Sequence, residues 1–154
     1  MSNRYYEGMF PPFNGEPLKT NIALVHLDTH GEGMAANRRF EPGELVFKFA
    51  GERVDIINLY TLEHPDGYHI YDPVVMGKIL HSCEPNMVCD MRAQTFHATR
   101  AIEKDELLTM DYCTTETVLS RSFECQCGSL RCKGVIVGKD TQPVLSVTGV
   151  VGAR

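Results

Sequence analysis

The sequence has little positive charge. Its 154 residues include 15 lysines and arginines against 20 aspartates and glutamates, which gives a formal net charge of −5. Proteins that bind nucleic acids usually carry a basic patch, so this balance argues against direct nucleic-acid binding. An acidic surface instead attracts a cationic partner such as a basic protein or peptide.

Long apolar runs are also missing. No stretch approaches the roughly 20 consecutive apolar residues that cross a membrane, and the first residues, MSNRYYEGMF, lack the apolar run of a secretory signal. We therefore expect an intracellular protein without membrane association. In that reducing environment the six cysteines are poor evidence for disulfides, and their spacing matters more than their number.

Helical periodicity is scarce. The strongest helical candidates are residues 56–63 and 116–123, and both are short. Strands are predicted where short runs rich in β-branched or aromatic residues end at Gly, Pro or charged turns. These runs are residues 22–27, 45–49, 96–102 and 107–112. The sequence therefore predicts a single, mainly β domain with a few helical turns.

A weak internal repeat links two parts of the chain. When residues 36–46 are aligned with residues 98–108, Ala, Arg, Glu, Glu and Leu recur in register. Each segment would form a strand, a tight charged turn and a second strand. Two such units are too few for a solenoid, which needs at least three. Chance similarity between two charged turns is the alternative interpretation.

Three cysteines lie within eight residues near the C-terminus. Cys125, Cys127 and Cys132 form a CxCx4C cluster, and a glycine follows the second cysteine. Three thiolates at this spacing can surround one soft cation, and zinc fits best. A structural zinc site needs a fourth ligand, for which Cys83, Cys89, Cys113 and the six histidines are candidates. Cys83 stands out because it lies in the turn-rich segment HSCEPN. The alternatives are small buried apolar side chains or a redox pair.

Two further features are weak when they are taken alone. Gly31-Glu32-Gly33-Met34 follows a predicted strand, but it lacks the third glycine and the helix of a dinucleotide-binding motif. Asp111-Tyr112 closes an apolar strand, where a tyrosine is most often a core or rim residue. No phosphate-binding loop, zinc-protease HExxH motif or GxSxG nucleophile elbow occurs.

Taken in order, these features resemble the SET-domain protein lysine methyltransferases. Residues 31–35 resemble the first glycine motif of the family, and residues 40–46 the turn and strand that follow it. The segment His81 to Asn86 resembles the NHSCxPN signature. Residues 101–112 resemble the segment that ends in the catalytic tyrosine, and residues 125–132 match the post-SET zinc motif. The resemblance covers roughly residues 20–138, and the joint order is more specific than any single motif.

The resemblance implies a fold, a boundary plan and a set of site residues. The fold is the β-clip-like SET fold of small twisted sheets, in which HSCEPN passes beneath the strand before Tyr112. The implied boundaries are an N-terminal arm at 1–20, a SET domain at 21–122, a post-SET zinc segment at 123–138 and a C-terminal tail at 139–154. The resemblance implies that S-adenosylmethionine is contacted by Gly31, Gly33, Met34 and His81. It implies one structural zinc on Cys83, Cys125, Cys127 and Cys132. It also implies catalysis by Tyr112 with Tyr68, and a substrate channel lined by Tyr68, Tyr71, Met110 and Cys89.

Two positions depart from the family pattern. Leu80 replaces the asparagine before HSC, which removes a polar contact that members use for the cofactor or for bracing the crossing, so we expect weaker cofactor affinity. Met110 stands where members carry phenylalanine or tyrosine, and Cys89 occupies the other position where a restricting tyrosine can sit. Without those hydroxyls, we expect the channel to accommodate more than one methyl group.

The predicted function is methylation of lysine in a basic protein or peptide, for which histones are the best-known family substrates. A nuclear, chromatin-associated location would then be one of two intracellular options, the cytoplasm being the other. A zinc-stabilised peptide-binding module without catalysis is the alternative, with Leu80 as its main argument, and a thiol redox protein using Cys125 and Cys127 is a weaker one. Residues 143–151 could form a strand, a partner contact or an ordered tail, and an exposed strand there would favour a homodimer.

Overall fold

The fold consists of short strands in five small sheets. It is seen in a computed structural model that describes residues 2–139. The twelve strands are β1 (Ile22–Leu27), β2 (Gly31–Ala36), β3 (Leu45–Lys48), β4 (Glu52–Val54), β5 (Thr61–Glu63), β6 (His69–Tyr71), β7 (Leu80–His81), β8 (Met87–Asp90), β9 (Thr95–Ala98), β10 (Thr109–Met110), β11 (Phe123–Glu124) and β12 (Val135–Ile136). This architecture confirms the mainly β fold class.

Within each sheet the strands pair in antiparallel fashion, with one exception. β1 pairs with β2, β3–β9–β8 and β4–β6–β5 form two three-stranded sheets, and β11 pairs with β12. β7 and β10 pair in parallel, with Leu80 opposite Thr109. Parallel strands need a long connection between them. Here that connection contains β8 and β9. The HSCEPN segment, which begins in β7, therefore lies beside β10, a strand that comes much later in the sequence.

Asn86 fixes this crossing. Its amide donates to the Leu107 carbonyl at 2.8 Å, and its side-chain oxygen accepts the Thr109 backbone N–H at 2.9 Å. Asn86 is 2% exposed. A buried amide in this position satisfies backbone groups that the two-residue strand β10 leaves without partners. It therefore holds the chain before Tyr112 against the HSCEPN segment.

The internal repeat appears as two units that bond each other reciprocally. Phe40 and Ile102 each donate a backbone N–H to the other's carbonyl at 2.9 Å. The remaining bonds obey the same pseudo-twofold symmetry, and they are Ala36 N–H to Glu106, Ala98 N–H to Glu44, Asp105 N–H to Ala36 and Gly43 N–H to Ala98. Arg38 bonds Glu44 within one unit as Arg100 bonds Glu106 in the other. The similarity of the two sequences thus corresponds to similar structures.

The core lies between these sheets and is rich in aromatic side chains. Phe47 and Phe96 stack with ring centroids 4.8 Å apart, and Phe49 packs on Phe96 at 5.6 Å. The N-terminal arm, which consists mostly of turns, also reaches the core. Tyr6 is fully buried and donates to Asp72 at 2.6 Å. The arm therefore contributes packing to the domain.

The two helical segments predicted from the sequence were wrong. Asn58 accepts the Tyr60 N–H and the Thr61 hydroxyl bonds Asn58, which makes a side-chain-stabilised turn that leads into β5. In residues 116–123, the Glu63 carboxylate binds the Thr117 N–H and hydroxyl, which ties the start of this segment to β5. Within residues 2–139, helix is limited to the 3-10 turns Met76–Lys78 and Tyr112–Thr114.

Two further observations concern the chain as a whole. No helix among residues 2–139 is long and apolar enough to cross a bilayer. The predicted tail at 139–154, with its proposed strand and homodimer contact, lies outside the described residues except for Lys139.

Candidate functional site

Four cysteine thiols converge beside the crossing. The Sγ atoms of Cys83, Cys125, Cys127 and Cys132 all lie within 4.8 Å of one another. β11 and β12 position three of them, because they pair on either side of the cysteine-containing loop and the Cys125 N–H donates to the Gly134 carbonyl at 2.7 Å. Gly128 adopts a φ of 77°, a left-handed conformation that turns the loop back after Cys127.

The thiol geometry fits a tetrahedral metal site. With zinc–sulfur bonds of about 2.3 Å, the sulfur atoms of a tetrahedral site lie about 3.8 Å apart. Cys83 and Cys125 have their sulfur atoms 3.9 Å apart. All six cysteines among the described residues are free of disulfides. A redox pair would account for two of these thiols, whereas a structural zinc accounts for all four.

His81 connects the thiol cluster to Tyr112. Its Nδ1 accepts the Tyr112 backbone N–H at 3.1 Å, and its Nε2 lies 3.4 Å from Cys83 Sγ. Burial lowers the pKa of His81 to about 4, against the opposing effect of the Asp111 carboxylate. The imidazole is therefore neutral at physiological pH, with the proton on Nε2 and a fixed orientation.

Tyr112 lies at the end of β10, where the chain enters a 3-10 turn. Asp111 begins that turn by accepting the Cys113 N–H at 2.9 Å. The Tyr112 hydroxyl donates to the Ile79 carbonyl at 2.7 Å. Burial, and then the charge of Glu116, raise the pKa of Tyr112. The phenol therefore stays protonated at neutral pH and acts as a hydrogen-bonding dipole.

A cavity of about 520 Å³ opens beside Tyr112. Its size suits a small-molecule ligand or an extended side chain. The lining residues come from five parts of the chain, and they are Thr29 to Glu32, Asn58 to Leu62, Met76 to Leu80, Met110 with Tyr112 and Glu116, and Leu119 to Arg121 with Phe123. The glycine motif, the residues just before the HSCEPN segment and the tyrosine segment thus meet at one site, and His81 is not among the lining residues.

The glycine motif reaches this cavity through its first residue. Gly31 lines the cavity with a φ of 74°, which favours glycine. A Cβ at Gly33 would lie 3.1 Å from Leu80 Cδ1, so the motif packs closely on β7 at the position that departs from the family pattern. Met34 is fully buried behind the motif, and its carbonyl accepts the Leu108 N–H.

The residues that the sequence predicted for the substrate channel do not all line this cavity. Met110 lines the cavity and is 1% exposed. Tyr71 is in edge contact with Tyr60, which lines the cavity, with ring centroids 6.4 Å apart. Tyr68 is not in the lining and stacks on His64 at 4.3 Å. Cys89 lies in a second cavity of about 490 Å³, with its sulfur 3.5 Å from that of Met91.

The sequence reasoning missed the charged residues of the cavity, of which Lys78 and Glu116 are the most enclosed. Lys78 is bonded to Glu32, and its side chain is 17% exposed. Glu116 is 3% exposed, and burial raises its pKa to about 7. Lys78 lies three residues before His81, a position that could have drawn attention to it. No local signal marks Glu116, because its environment depends on β5.

Comparisons with known proteins agree with this arrangement. A model of the SET domain family matches residues 31–113, more than half of the chain. The chain is 26% identical over 159 residues to the histone-lysine N-methyltransferase ASHH3 of Arabidopsis thaliana, covering 88% of the chain and 43% of that relative. It is 38% identical over 88 residues to the histone-lysine N-methyltransferase ash1 of Drosophila melanogaster, covering 49% of the chain and 4% of the relative. The chain therefore spans less than half the length of these relatives.

Solved structures share the fold. The chain is similar to the crystal structure of KRYPTONITE in complex with mCHG DNA and SAH, with a TM-score of 0.61, 22% identity, and coverage of 75% of this chain and 28% of that one. A second KRYPTONITE structure, with mCHH DNA, an H3(1-15) peptide and SAH, has the same TM-score at 23% identity. At these identities the similarity shows a shared fold.

Proposed function

The chain belongs to the SET domain family, and on that basis we propose that it transfers a methyl group from S-adenosylmethionine to a lysine of a basic protein or peptide. The observation that carries this proposal is the shared lining of one cavity by Gly31, by Ile79 with Leu80, and by Met110 with Tyr112. Relatives described as histone-lysine methyltransferases, and neighbours solved with SAH, support both the donor and the substrate class.

S-adenosylmethionine, when bound, supplies an electrophilic methyl group on a sulfonium. We place its binding side along the backbone of Gly31, Gly33 and Met34 of β2 and along that of His81, with Leu80 presenting an apolar surface where an amide is usual. Two cations line the cavity, Lys78 and Arg121. Lys78 is the more enclosed and suits the α-carboxylate of the methionine moiety, for which it would exchange its bond to Glu32.

The chain must also make the lysine nucleophilic. An ammonium has no lone pair, and shifting a lysine from its ordinary pKa of about 10.4 to neutrality at pH 7.4 costs about 4 kcal/mol. Burial against apolar walls such as Met110 disfavours the charged form and lowers that cost. The Tyr112 hydroxyl and the Ile79 carbonyl form a polar pair that can orient the reacting groups for in-line displacement.

Met110 bears on the number of methyl groups transferred. Its thioether carries no hydroxyl to hold a water in the channel, and it is buried in the cavity wall. We propose that the site accepts an already methylated amine and so adds more than one methyl group. Cys89 occupies the other position where a restricting tyrosine can sit. It lies in the second cavity, so the product proposal depends on Met110.

The post-SET thiols are assigned to one structural zinc. Cys83 joins the HSCEPN segment to the loop of Cys125, Cys127 and Cys132, so a bound zinc would fix that loop beside the cavity. The Lys133 N–H lies 3.3 Å from Cys83 Sγ and can stabilise its thiolate. The proposed boundaries 21–122 and 123–138 then divide the catalytic domain from the segment that zinc orders.

The proposed site of action follows from the substrate class. Relatives named for histone methylation favour a chromatin-associated role, and the net charge of −5 suits a basic histone tail. A nucleosomal protein is therefore the first substrate to test, beside ribosomal and other basic proteins.

The test is incubation with radiolabelled S-adenosylmethionine and purified core histones or mixed basic proteins. We expect label in a basic protein and its loss in Tyr112→Phe, which keeps the ring and removes only the hydroxyl. Label that persists in Tyr112→Phe would remove Tyr112 from its role. Absence of S-adenosylmethionine binding at millimolar concentration would instead favour the peptide-binding module.

A further inference from the structure

Glu116 is a buried carboxyl group in the wall of the proposed reaction cavity. It lines the cavity together with Met110 and Tyr112, and it is 3% exposed. Its backbone is held at both ends, since its N–H donates to the Tyr112 carbonyl at 2.9 Å and its own carbonyl accepts the Lys139 N–H at 2.8 Å. The side chain therefore has a fixed origin next to Tyr112.

The backbone and side chain of Glu63 together fix the orientation of Glu116. The Glu63 backbone N–H donates to Glu116 Oε2 at 2.8 Å. The Glu63 side chain in turn accepts the Thr117 N–H and hydroxyl at 2.8 and 2.9 Å. This reciprocal arrangement joins β5 to the segment after Tyr112. It orders Glu116 before any ligand arrives, which reduces the entropic cost of binding.

No cation among residues 2–139 lies within ion-pair distance of this carboxylate, and the more distant charge of Lys139 is a minor influence that lowers its pKa. Glu116 takes part in none of the ion pairs within 4.0 Å that the described residues form. Burial raises its pKa to about 7, against the Glu63 N–H and the Thr115 hydroxyl, which favour the ionised form. A buried carboxylate without a counter-ion is costly, and a bound cation would offset that cost.

We propose that Glu116 receives the positive charge of the target lysine and binds its ammonium group as the side chain enters the cavity, before the amine loses its proton for methyl transfer. This inference rests on the proposed function, which makes this cavity the lysine site. The cavity then selects a lysine by two properties, since Met110 contacts its methylene chain and Glu116 its charge. The same contact would reject a neutral side chain of similar length.

The pH dependence follows from the ionisation of Glu116. n-Butylammonium, which is a lysine side chain without its backbone, stays charged below pH 9, so its affinity should rise with pH as Glu116 ionises around pH 7. The titratable and charged groups that face Glu116 or share the cavity are Glu63 on β5, Tyr112, Lys139, the Glu32–Lys78 pair, Arg121 and His30. His30 lines the cavity as well, so it needs its own control.

The experiment is an NMR titration of the purified protein with n-butylammonium chloride, and in parallel with the neutral analogue 1-butanol. Both are run with and without S-adenosylhomocysteine, and the backbone amide shifts of Tyr112 and Glu116 report binding. We expect n-butylammonium to bind at least tenfold more tightly than 1-butanol at pH 8, equivalent to about 1.4 kcal/mol. We expect the preference to disappear at pH 5.5, where Glu116 is protonated.

Three variants make the test specific. Glu116→Gln is nearly isosteric, and its amide oxygen still accepts the Glu63 N–H, so we expect it to fold and to show no preference for n-butylammonium at pH 8. Glu7→Gln removes the same formal charge at an exposed site in the N-terminal arm, and His30→Gln removes the imidazole that shares the cavity. Both controls should keep the preference and its pH dependence.

Two results would overturn the inference. One is equal binding of n-butylammonium and 1-butanol to the wild type at pH 8, and the other is an unchanged preference in Glu116→Gln. With a labelled substrate in hand, Glu116→Gln should raise the KM for that substrate about tenfold, with kcat within threefold and the KM for S-adenosylmethionine unchanged. If the wild type methylates but KM does not move, only the Glu116 assignment fails. If no protein is methylated, the proposed function fails.

Discussion

Replacing Glu116 by glutamine should stabilise the protein at pH 8 and have little effect near pH 4.5. The reason is the buried carboxyl itself. Its pKa rises from 4.5 in the unfolded chain to about 7 in the fold, so the folded protein retains a proton that the unfolded chain has lost. Glutamine is neutral at every pH and is free of this cost.

The sign follows from proton binding. Between pH 4.5 and 7 the folded state binds more protons at Glu116 than the unfolded state, so the free energy of unfolding falls as pH rises through this window. Above pH 7 both states are ionised and the cost is constant. A shift from 4.5 to about 7, at 1.36 kcal/mol per pKa unit, corresponds to about 3 kcal/mol. We therefore expect Glu116→Gln to be up to about 3 kcal/mol more stable than the wild type at pH 8.

Urea unfolding at half-unit intervals from pH 4.5 to 8 measures this difference. Both proteins are unfolded at the same zinc concentration, and each pH point gives the variant-minus-wild-type free energy. The other titratable groups are present in both proteins, so their contributions cancel in the difference. Glu7→Gln is the surface control, for which we expect a difference within about 0.5 kcal/mol throughout.

A difference curve that is flat across this pH range would refute the reasoning, because it would mean that Glu116 does not titrate between pH 4.5 and 7. A Glu116→Gln variant that is less stable than the wild type at pH 8 would be equally damaging. In that case the carboxylate must be stabilised by its surroundings, and it would need no incoming cation.

Three further predictions concern the thiols, the turns and the cavity wall. Zinc analysis should find about one equivalent per chain, lost in Cys132→Ser and retained in Cys113→Ser, and zinc bound equally by both variants would contradict the four-cysteine assignment. Gly43→Ala should lower the free energy of unfolding in urea by about 1 kcal/mol, because alanine is strained at the φ of 82° that Gly43 adopts. Asp105 has the symmetry-related φ of 76°, and Asp105→Gly should not lower the free energy of unfolding. Equal losses in the two variants would argue against backbone strain as the cause. Met110→Tyr should shift the products toward monomethyl-lysine by mass spectrometry, and a wild type that makes only monomethyl-lysine at saturating donor would contradict the product proposal.

Local patterns were sufficient to predict much of the fold. β1 has the predicted bounds because its alternating residues pair with the small side chains of β2, and the CxCx4C spacing brought three thiols together without information from elsewhere. The charged turns of the repeat were visible because Arg and Glu recur at the same offsets. These features depend on residues that are close in sequence.

The features that were missed depend on distant residues. Asn58 binds a backbone N–H that a helix would have used, and Glu63 ties Thr117, 54 positions away in sequence, to β5. The burial of Glu116 likewise follows from its bond to β5, 53 residues earlier. The family pattern suggested that Tyr68 lies in the channel, whereas in this chain Tyr68 is held between His64 and the Arg53 guanidinium.

The reciprocal bonding of the two repeat units has a consequence for biosynthesis. Six backbone hydrogen bonds join residues 36–46 to residues 98–108, and neither unit can make them alone. While the ribosome has released only the first unit, its N–H and carbonyl groups must remain hydrated. The HSCEPN segment also lacks its partner strand until β10 has been synthesised. Folding of this domain is thus postponed until translation has passed Met110, and a nascent chain stalled before Ala98 should be as sensitive to protease as an unfolded one.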